Sequence, residues 1–150
     1  MINQLFFVQY KYSTVFTNGD DIKMTNDQQK EKRILLIEDD HVYRTLLLST
    51  LRRMGFQCTF CIDGNQAIKK LSEEKFDLLI SDYLLPGTNG IEIIRLARKQ
   101  GIDVPALLIT NYPAEILHVS NKGLGYTKII AKTSFNPDKI LKIVQGLLNL

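Results

Sequence analysis

Tryptophan is absent from this chain, cysteine and histidine each occur twice, and proline occurs four times in 150 residues. Two cysteines cannot make a disulfide-stapled scaffold, and Cys58 and Cys61 have no second pair with which to complete a tetrahedral zinc site. Both lie in a stretch that reads as a strand, where residues three apart point to opposite faces, so buried thiols in a reducing cytosol are the better reading than a redox centre. His41 and His118 are isolated, which points to surface positions rather than catalysis. No apolar run approaches the roughly 20 residues of a membrane-spanning helix. The run LFFV near the start is also too short for a signal-peptide core and follows no positive charge. Excess charge is scarce as well: 19 basic against 16 acidic residues leave a net +3. The first 32 residues are balanced, so the excess lies in the remainder and is too weak for a nucleic-acid footprint by charge alone. The lysines Lys122, Lys128, Lys139 and Lys142, against only Glu115 and Asp138, read as a solvated face.

What the chain does have is 45% hydrophobic residues, enough for one core of ordinary domain size. Four apolar runs each stop at a polar residue: ILLI at Glu38 and Asp39, DLLIS at Asp82, ALLI at Thr110 and KIIA at Lys132. Strands are expected at Arg33–Glu38, Gln57–Ile62, Asp77–Ser81, Val104–Ile109 and Lys128–Ala131. Helices are expected at Val42–Met54, Asn65–Glu74 and Ile91–Gln100, within Pro113–Asn121, and from an Asn136 cap with Pro137 at the first helical position to about Leu148. Tyr43, Leu47, Leu51 and Met54 recur at helical spacing, Gly55 stops that helix, and Asp40 suits its N-cap. Pro86 and Gly87 break the chain, and Gly90 permits a tight entry into the third helix. This alternation gives (βα)5, an α/β three-layer sandwich around a five-stranded parallel sheet. Residues 33–150 form that domain. Residues 1–32 read as an N-terminal extension with a polar linker over Thr17–Lys32. Met24 raises the hypothesis that residues 1–23 are not native, and if they are, Leu5–Phe16 has the composition of an extra strand or a dimer arm.

In a parallel sheet all strands open at their carboxyl ends onto one crevice, so residues just past different strands meet there. Glu38, Asp39 and Asp82 in one pocket would repel: two carboxylates about 5 Å apart cost about 3 kcal/mol at an effective dielectric near 20. They call for a cation, and hard carboxylate oxygens select Mg²⁺, or Mn²⁺, over softer metals. A carboxylate beside that metal can attack phosphorus. Lys132 would neutralise charge on the transferred group, and the Thr110 hydroxyl would donate to one of its oxygens.

At the acidic pair in ILLIEDD, the acceptor stretch SDYLLPGTNG, Thr110 and Lys132, with the intervals between them, the chain resembles the receiver domain of two-component response regulators, a flavodoxin-like fold. The similarity runs from about Arg33 to the C-terminus. It implies that Asp82 accepts a phosphoryl group from a phosphohistidine, and that Glu38, Asp39, Asp82 and the backbone carbonyl of Leu84 hold Mg²⁺. Thr110 and Lys132 would contact the phosphoryl oxygens. A histidine kinase or histidine phosphotransfer protein supplies the group. Output goes to a protein target the sequence does not name, with neither DNA nor membrane bound directly and no output domain after the last helix. The resemblance leaves a phosphorylation-linked dimer open, and implies a cytoplasmic phosphoacceptor rather than an enzyme.

Several positions depart from the family pattern. Ile129 stands at the switch position, where an aromatic is usual, Tyr126 where a small residue is common, and Asn111 replaces a small neighbour of Thr110. Thr133 follows the lysine in place of proline, so a trans Lys132–Thr133 bond is expected. Leu84 and Tyr112 should flank the path of a hydrolytic water without activating it, giving slow autodephosphorylation. Two alternatives stand beside the phosphoacceptor: a pseudo-receiver that binds proteins without switching, and a small aspartyl-phosphate phosphatase. The last is disfavoured by Leu84, which sits where such enzymes carry a second acid.

Overall fold

The structure, a computed structural model, describes residues 32–112 and 123–150. Expectations for residues 1–31, the helix within Pro113–Asn121, His118, Glu115 and Lys122 lie outside the described residues. In chain order the elements are β1 (Arg33–Ile37), α1 (His41–Arg53), β2 (Gln57–Cys61), α2 (Gly64–Glu73), β3 (Leu78–Asp82), β4 (Leu84–Leu85), β5 (Thr88–Asn89), α3 (Gly90–Lys99), β6 (Ala106–Thr110), β7 (Thr127–Ala131), a 3-10 turn at Lys132–Ser134, and α4 (Pro137–Leu148).

Five strands form one sheet in the order β2-β1-β3-β6-β7, every pairing parallel. The runs that looked continuously apolar are the central strands, in which every residue of β3 and β6 is buried. Such runs need cover on both faces. Leu35, Ile37, Leu79 and Leu108 point to the side that α2 and α3 cover with Ala67, Leu71, Ile93, Ile94 and Ala97. Ile34, Leu36, Ile80, Leu107 and Ile109 point to the side covered by α1 and α4 through Leu47, Leu51, Ile140 and Val144. That is the expected α/β sandwich. The two cysteines divide the same way, Cys61 in the first cluster and Cys58 against the second. Both are free, and burial pushes each thiol up to about 11.

Four side chains start the four described α-helices by accepting a backbone N–H: Asp40 from Tyr43 at 2.7 Å, Asp63 from Gln66 at 2.8 Å, Asn89 from Glu92 at 3.0 Å and Asn136 from Lys139 at 3.0 Å. Each cap is worth about 1 kcal/mol. Asp40 and Asn136 are the caps expected from sequence.

Boundaries differ by a residue or two, and three differences matter. β3 and β6 run through Asp82 and Thr110 rather than stopping before them, because the ladder continues with Asp82 opposite Ile109 and Thr110 opposite Ala131. β6 starts at Ala106 rather than Val104, since Pro105 has no N–H to donate. The break at Pro86-Gly87 is a hairpin turn: Leu84 pairs with Asn89 and Leu85 with Thr88, and Gly87 takes the φ of 74° that the third position of a Pro-Gly turn requires.

The strand order reverses between β1 and β3. The chain leaves β1 outward to β2 and returns to β3 on the other side, so the crevice of this sheet opens where β1 and β3 end.

Candidate functional site

Register alone makes Glu38 and Asp82 neighbours. Ile37 lies opposite Ser81 in the β1–β3 ladder, so the next residue of each strand steps out side by side above the crevice. Glu38 still donates its N–H to the Cys61 carbonyl at 3.1 Å, which holds it in line with the strand before the chain turns into α1. Its side chain is 1% exposed and Asp82 is 8% exposed, whereas Asp39 is exposed. One oxygen from each of the three carboxylates lies within 4.8 Å of the others.

Lys132 follows β7, two strands from β3 with β6 between them, and its long stem reaches back toward this cluster. The ammonium donates to Asp82 Oδ2 at 2.6 Å and contacts both Glu38 oxygens, Oε2 at 2.8 Å and Oε1 at 3.0 Å. Burial raises the Glu38 pKa, the Asp82 charge adds to the rise, and the Lys132 hydrogen bond opposes it. Burial would lower Lys132, but its hydrogen bonds to Asp82 and Glu38 outweigh that and leave its pKa raised. The Lys132 shift says that the two carboxylates stabilise the ammonium against desolvation, whereas at Glu38 burial and the Asp82 charge outweigh what the lysine returns.

Three carboxylates against one ammonium leave a formal charge of −2. The Asp39 carboxylate has no hydrogen bond or ion pair among the described residues. An all-oxygen, doubly negative set with one solvent-facing member fits a hard divalent cation of the magnesium type.

The remaining expected residues lie nearby in different ways. Thr110 is fully buried, and its hydroxyl accepts from the Tyr112 N–H at 3.0 Å rather than joining the carboxylate cluster. The Leu84 N–H donates to Asp82 Oδ1 at 3.3 Å, tying the hairpin to that carboxylate, while Leu84 is 53% exposed. Tyr112 is half-exposed and Tyr126 more so. Asn111, Thr133 and Lys132 line a cavity of about 380 Å³ together with Asp40, Val42, Tyr43 and Leu46. Ile129 is partly buried against the α2–α3 side of the core. No cis peptide occurs among the described residues, so Lys132–Thr133 is trans as expected.

Sequence reasoning missed three residues that shape the site. Arg44 donates from Nη1 to the carbonyls of Glu38 at 2.9 Å and Asp39 at 3.0 Å, fixing the backbone of the acidic pair. Its position one turn into α1, after an acidic pair and a capping aspartate, was the available signal. Tyr43 places its ring against Lys132, although helical spacing marked it only as a core residue. Gly90, read from sequence only as a tight entry into the third helix, lies so close to the Asp82 backbone that an added Cβ would clash with its carbonyl.

Residues 34–145 match the family described as the response regulator receiver domain. The chain belongs to that family. Receiver domains are modules of two-component signalling that work with histidine kinases or phosphotransfer proteins, and as a class they are phosphoacceptors. The response regulator receiver protein CpdR of Brucella abortus is 32% identical over 117 residues, a match spanning 78% of this chain and 98% of that protein. The alkaline phosphatase synthesis transcriptional regulatory protein PhoP of Bacillus subtilis is 33% identical over 117 residues. This receiver spans 78% of its own length but only about half, 48%, of PhoP. Among solved structures, the response regulator protein TrrA of Thermotoga maritima, in complex with Mg(2+)-BeF, is 32% identical with a TM-score of 0.70, covering 78% of this chain and 99% of that one. The fold of this receiver is CheY-like, within the flavodoxin-like α/β class. No helix among the described residues is long and apolar enough to cross a membrane.

Proposed function

We propose that this receiver takes a phosphoryl group from a phosphohistidine onto Asp82 in a Mg²⁺-dependent relay, and that it acts in the cytoplasm by binding another protein. The observation that carries this reading is the Lys132 ammonium 2.6 Å from Asp82 Oδ2, with Glu38 and Asp39 completing an acidic set beside the same carboxylate. TrrA, solved with Mg(2+)-BeF, lends a related receiver in which such an ion is present.

An oxygen of Asp82 attacks phosphorus as the P–N bond to the donor imidazole breaks, the imidazole nitrogen keeping the bonding pair and taking a proton. Mg²⁺ held by Glu38, Asp39, Asp82 and the Leu84 carbonyl would shield charge between the carboxylates and the incoming phosphoryl oxygens. Lys132 is placed to move from Asp82 Oδ2 to a phosphoryl oxygen, and Thr110 must release the Tyr112 N–H or turn its own hydrogen inward to do the same. Burial of Glu38 and Asp82 keeps bulk water from the new acyl phosphate. The donor is a histidine kinase or histidine phosphotransfer protein, and a phosphorylation-linked dimer is one form the output takes.

Incubation with acetyl phosphate and Mg²⁺, followed by intact mass, tests this. The parent should gain one phosphoryl group and Asp82→Asn none. A second reading, a receiver that binds proteins without switching, draws on Ile129, which has no ring to reorient in the core. No gain in the parent favours that reading, and rapid turnover of many equivalents favours a phosphatase.

The lifetime of the phosphoryl group provides a separate prediction. Leu84, whose N–H is bonded to Asp82, and Tyr112, two residues past Thr110, are both about half exposed, and neither activates water. Decay should be slow, and Leu84→Asn should speed it several-fold by offering a polar group to the attacking water. An equal or slower rate would count against this assignment.

A further inference from the structure

We propose that Tyr43 is a positioning residue for Lys132, its aromatic face holding the ammonium in the pocket while the phosphoryl group moves. The Lys132 ammonium lies 4.6 Å from the centroid of the Tyr43 ring while it also bridges Glu38 and Asp82. The ring is itself fixed by Phe135, whose centroid is 5.5 Å away at 72°, an edge-to-face contact. Phe135 ends the 3-10 turn that Lys132 begins, and its N–H donates to the Lys132 carbonyl at 3.0 Å. Lysine backbone, phenyl ring, tyrosine ring and ammonium thus form a closed loop of contacts. Its place is apt: Thr133 follows the lysine where a proline would have stiffened the turn.

The Tyr43 hydroxyl makes the case sharper. It is buried and makes no hydrogen bond among the described residues. A buried hydroxyl without a partner is a cost, so the side chain is not explained by its polar end. The ring explains it. Attraction between a cation and an aromatic face is broad in direction, unlike a hydrogen bond. The ammonium can leave Asp82 Oδ2 for a phosphoryl oxygen and stay over the same ring, so the long, flexible lysine stem does not swing to solvent.

The inference rests on Asp82 being the phosphoacceptor, and two measurements separate the two claims. In the folded parent the Lys132 ε-methylene protons should resonate upfield of ordinary lysines through the ring current, in a signal lost in Lys132→Met. Tyr43→Phe should keep that shift and Tyr43→Met should abolish it. With acetyl phosphate and Mg²⁺, the initial rate of mass gain should fall about 3- to 30-fold in Tyr43→Met and stay within about twofold in Tyr43→Phe. An unshifted lysine signal in the parent overturns the proposal whether or not any variant folds. So does a folded Tyr43→Met that keeps the parent rate, or a Tyr43→Phe as slow as Tyr43→Met, which would assign the role to the hydroxyl. Absence of phosphorylation in the parent alongside an upfield signal would overturn the phosphoacceptor reading and leave the contact standing.

Discussion

Replacing Lys132 with methionine is expected to lower stability at neutral pH by about 3–5 kcal/mol, the range for breaking a buried ion pair by removing one partner. The size follows from what stays behind. Glu38, 1% exposed, and Asp82, 8% exposed, would face each other with no ammonium between them. Methionine fills the volume of the stem without restoring charge, so the loss is electrostatic rather than a cavity. The pH dependence has a definite sign. Burial already raises the Glu38 pKa, and the variant loses the hydrogen bond from Lys132 that opposes the rise, so it rises further. A carboxyl with a raised folded pKa favours the folded state at low pH and loses that contribution as pH climbs through the folded value. The gap between variant and parent should therefore be widest near neutrality and narrow as pH falls toward the ordinary glutamate value of 4.5. In the parent the Lys132 pKa is raised, so the stability it contributes is present at neutrality and lost only as pH climbs past its ordinary 10.5. Urea unfolding at pH 7 and pH 5 measures both. Mg²⁺ should raise the variant's midpoint more than the parent's, because the carboxylate cluster then has no cation of its own. Equal stability of the two proteins at pH 7 would mean that Lys132 does not sit between these carboxylates in solution.

The same cluster illustrates what a sequence can disclose. Strands buried on both faces have to be apolar from end to end, so ILLI, DLLIS and ALLI marked the sheet and their last residues marked its crevice. One period-2 element against one period-3.6 element then left few ways to assemble the layers. Asp40 and Asn136 were legible as caps because their chemistry is local. Asn89 was not, since Gly90 beside it drew the reading toward a tight entry into the helix. Pro86-Gly87 announced a turn but not that two residues on each side would pair. The least legible features are those set by where a side chain points: the Arg44 guanidinium on the carbonyls of Glu38 and Asp39, the Tyr43 ring against Lys132, and the hydroxyl of Thr110, whose observed partner is the Tyr112 N–H. Each depends on a side-chain direction that only the assembled sheet decides.

Gly90→Ala should be the most damaging single-methyl change in the described fold. A Cβ at this position would lie 2.2 Å from the Asp82 backbone oxygen, 2.6 Å from Leu108 Cδ1 and 2.8 Å from Ser81 Oγ. Leu108 and Ser81 could adjust, but the Asp82 carbonyl belongs to the β3 backbone and cannot. The start of α3 would have to lift away from the end of β3, pulling on the Gly90 N–H that donates to the Tyr83 carbonyl at 2.8 Å. Overpacking of this kind costs about 1–3 kcal/mol or more. Gly64 and Gly146 supply the scale for comparison. An added Cβ at Gly64 meets Thr88 Cγ2 at 2.4 Å, a side-chain methyl on a two-residue strand that can yield, and at Gly146 in α4 it meets nothing within 4 Å. Gly146→Ala should therefore stabilise by about 0.5–1 kcal/mol through helix propensity alone, while Gly90→Ala destabilises. The damage should reach chemistry as well, because the displaced carbonyl is that of Asp82, the acceptor we propose. Asp82 would lose its alignment with Lys132, and phosphorylation by acetyl phosphate should slow even in the fraction that remains folded. Thermal unfolding and the rate of mass gain, measured on both variants, give four numbers. A Gly90→Ala protein as stable and as reactive as the parent would show that α3 does not press on the end of β3 as described.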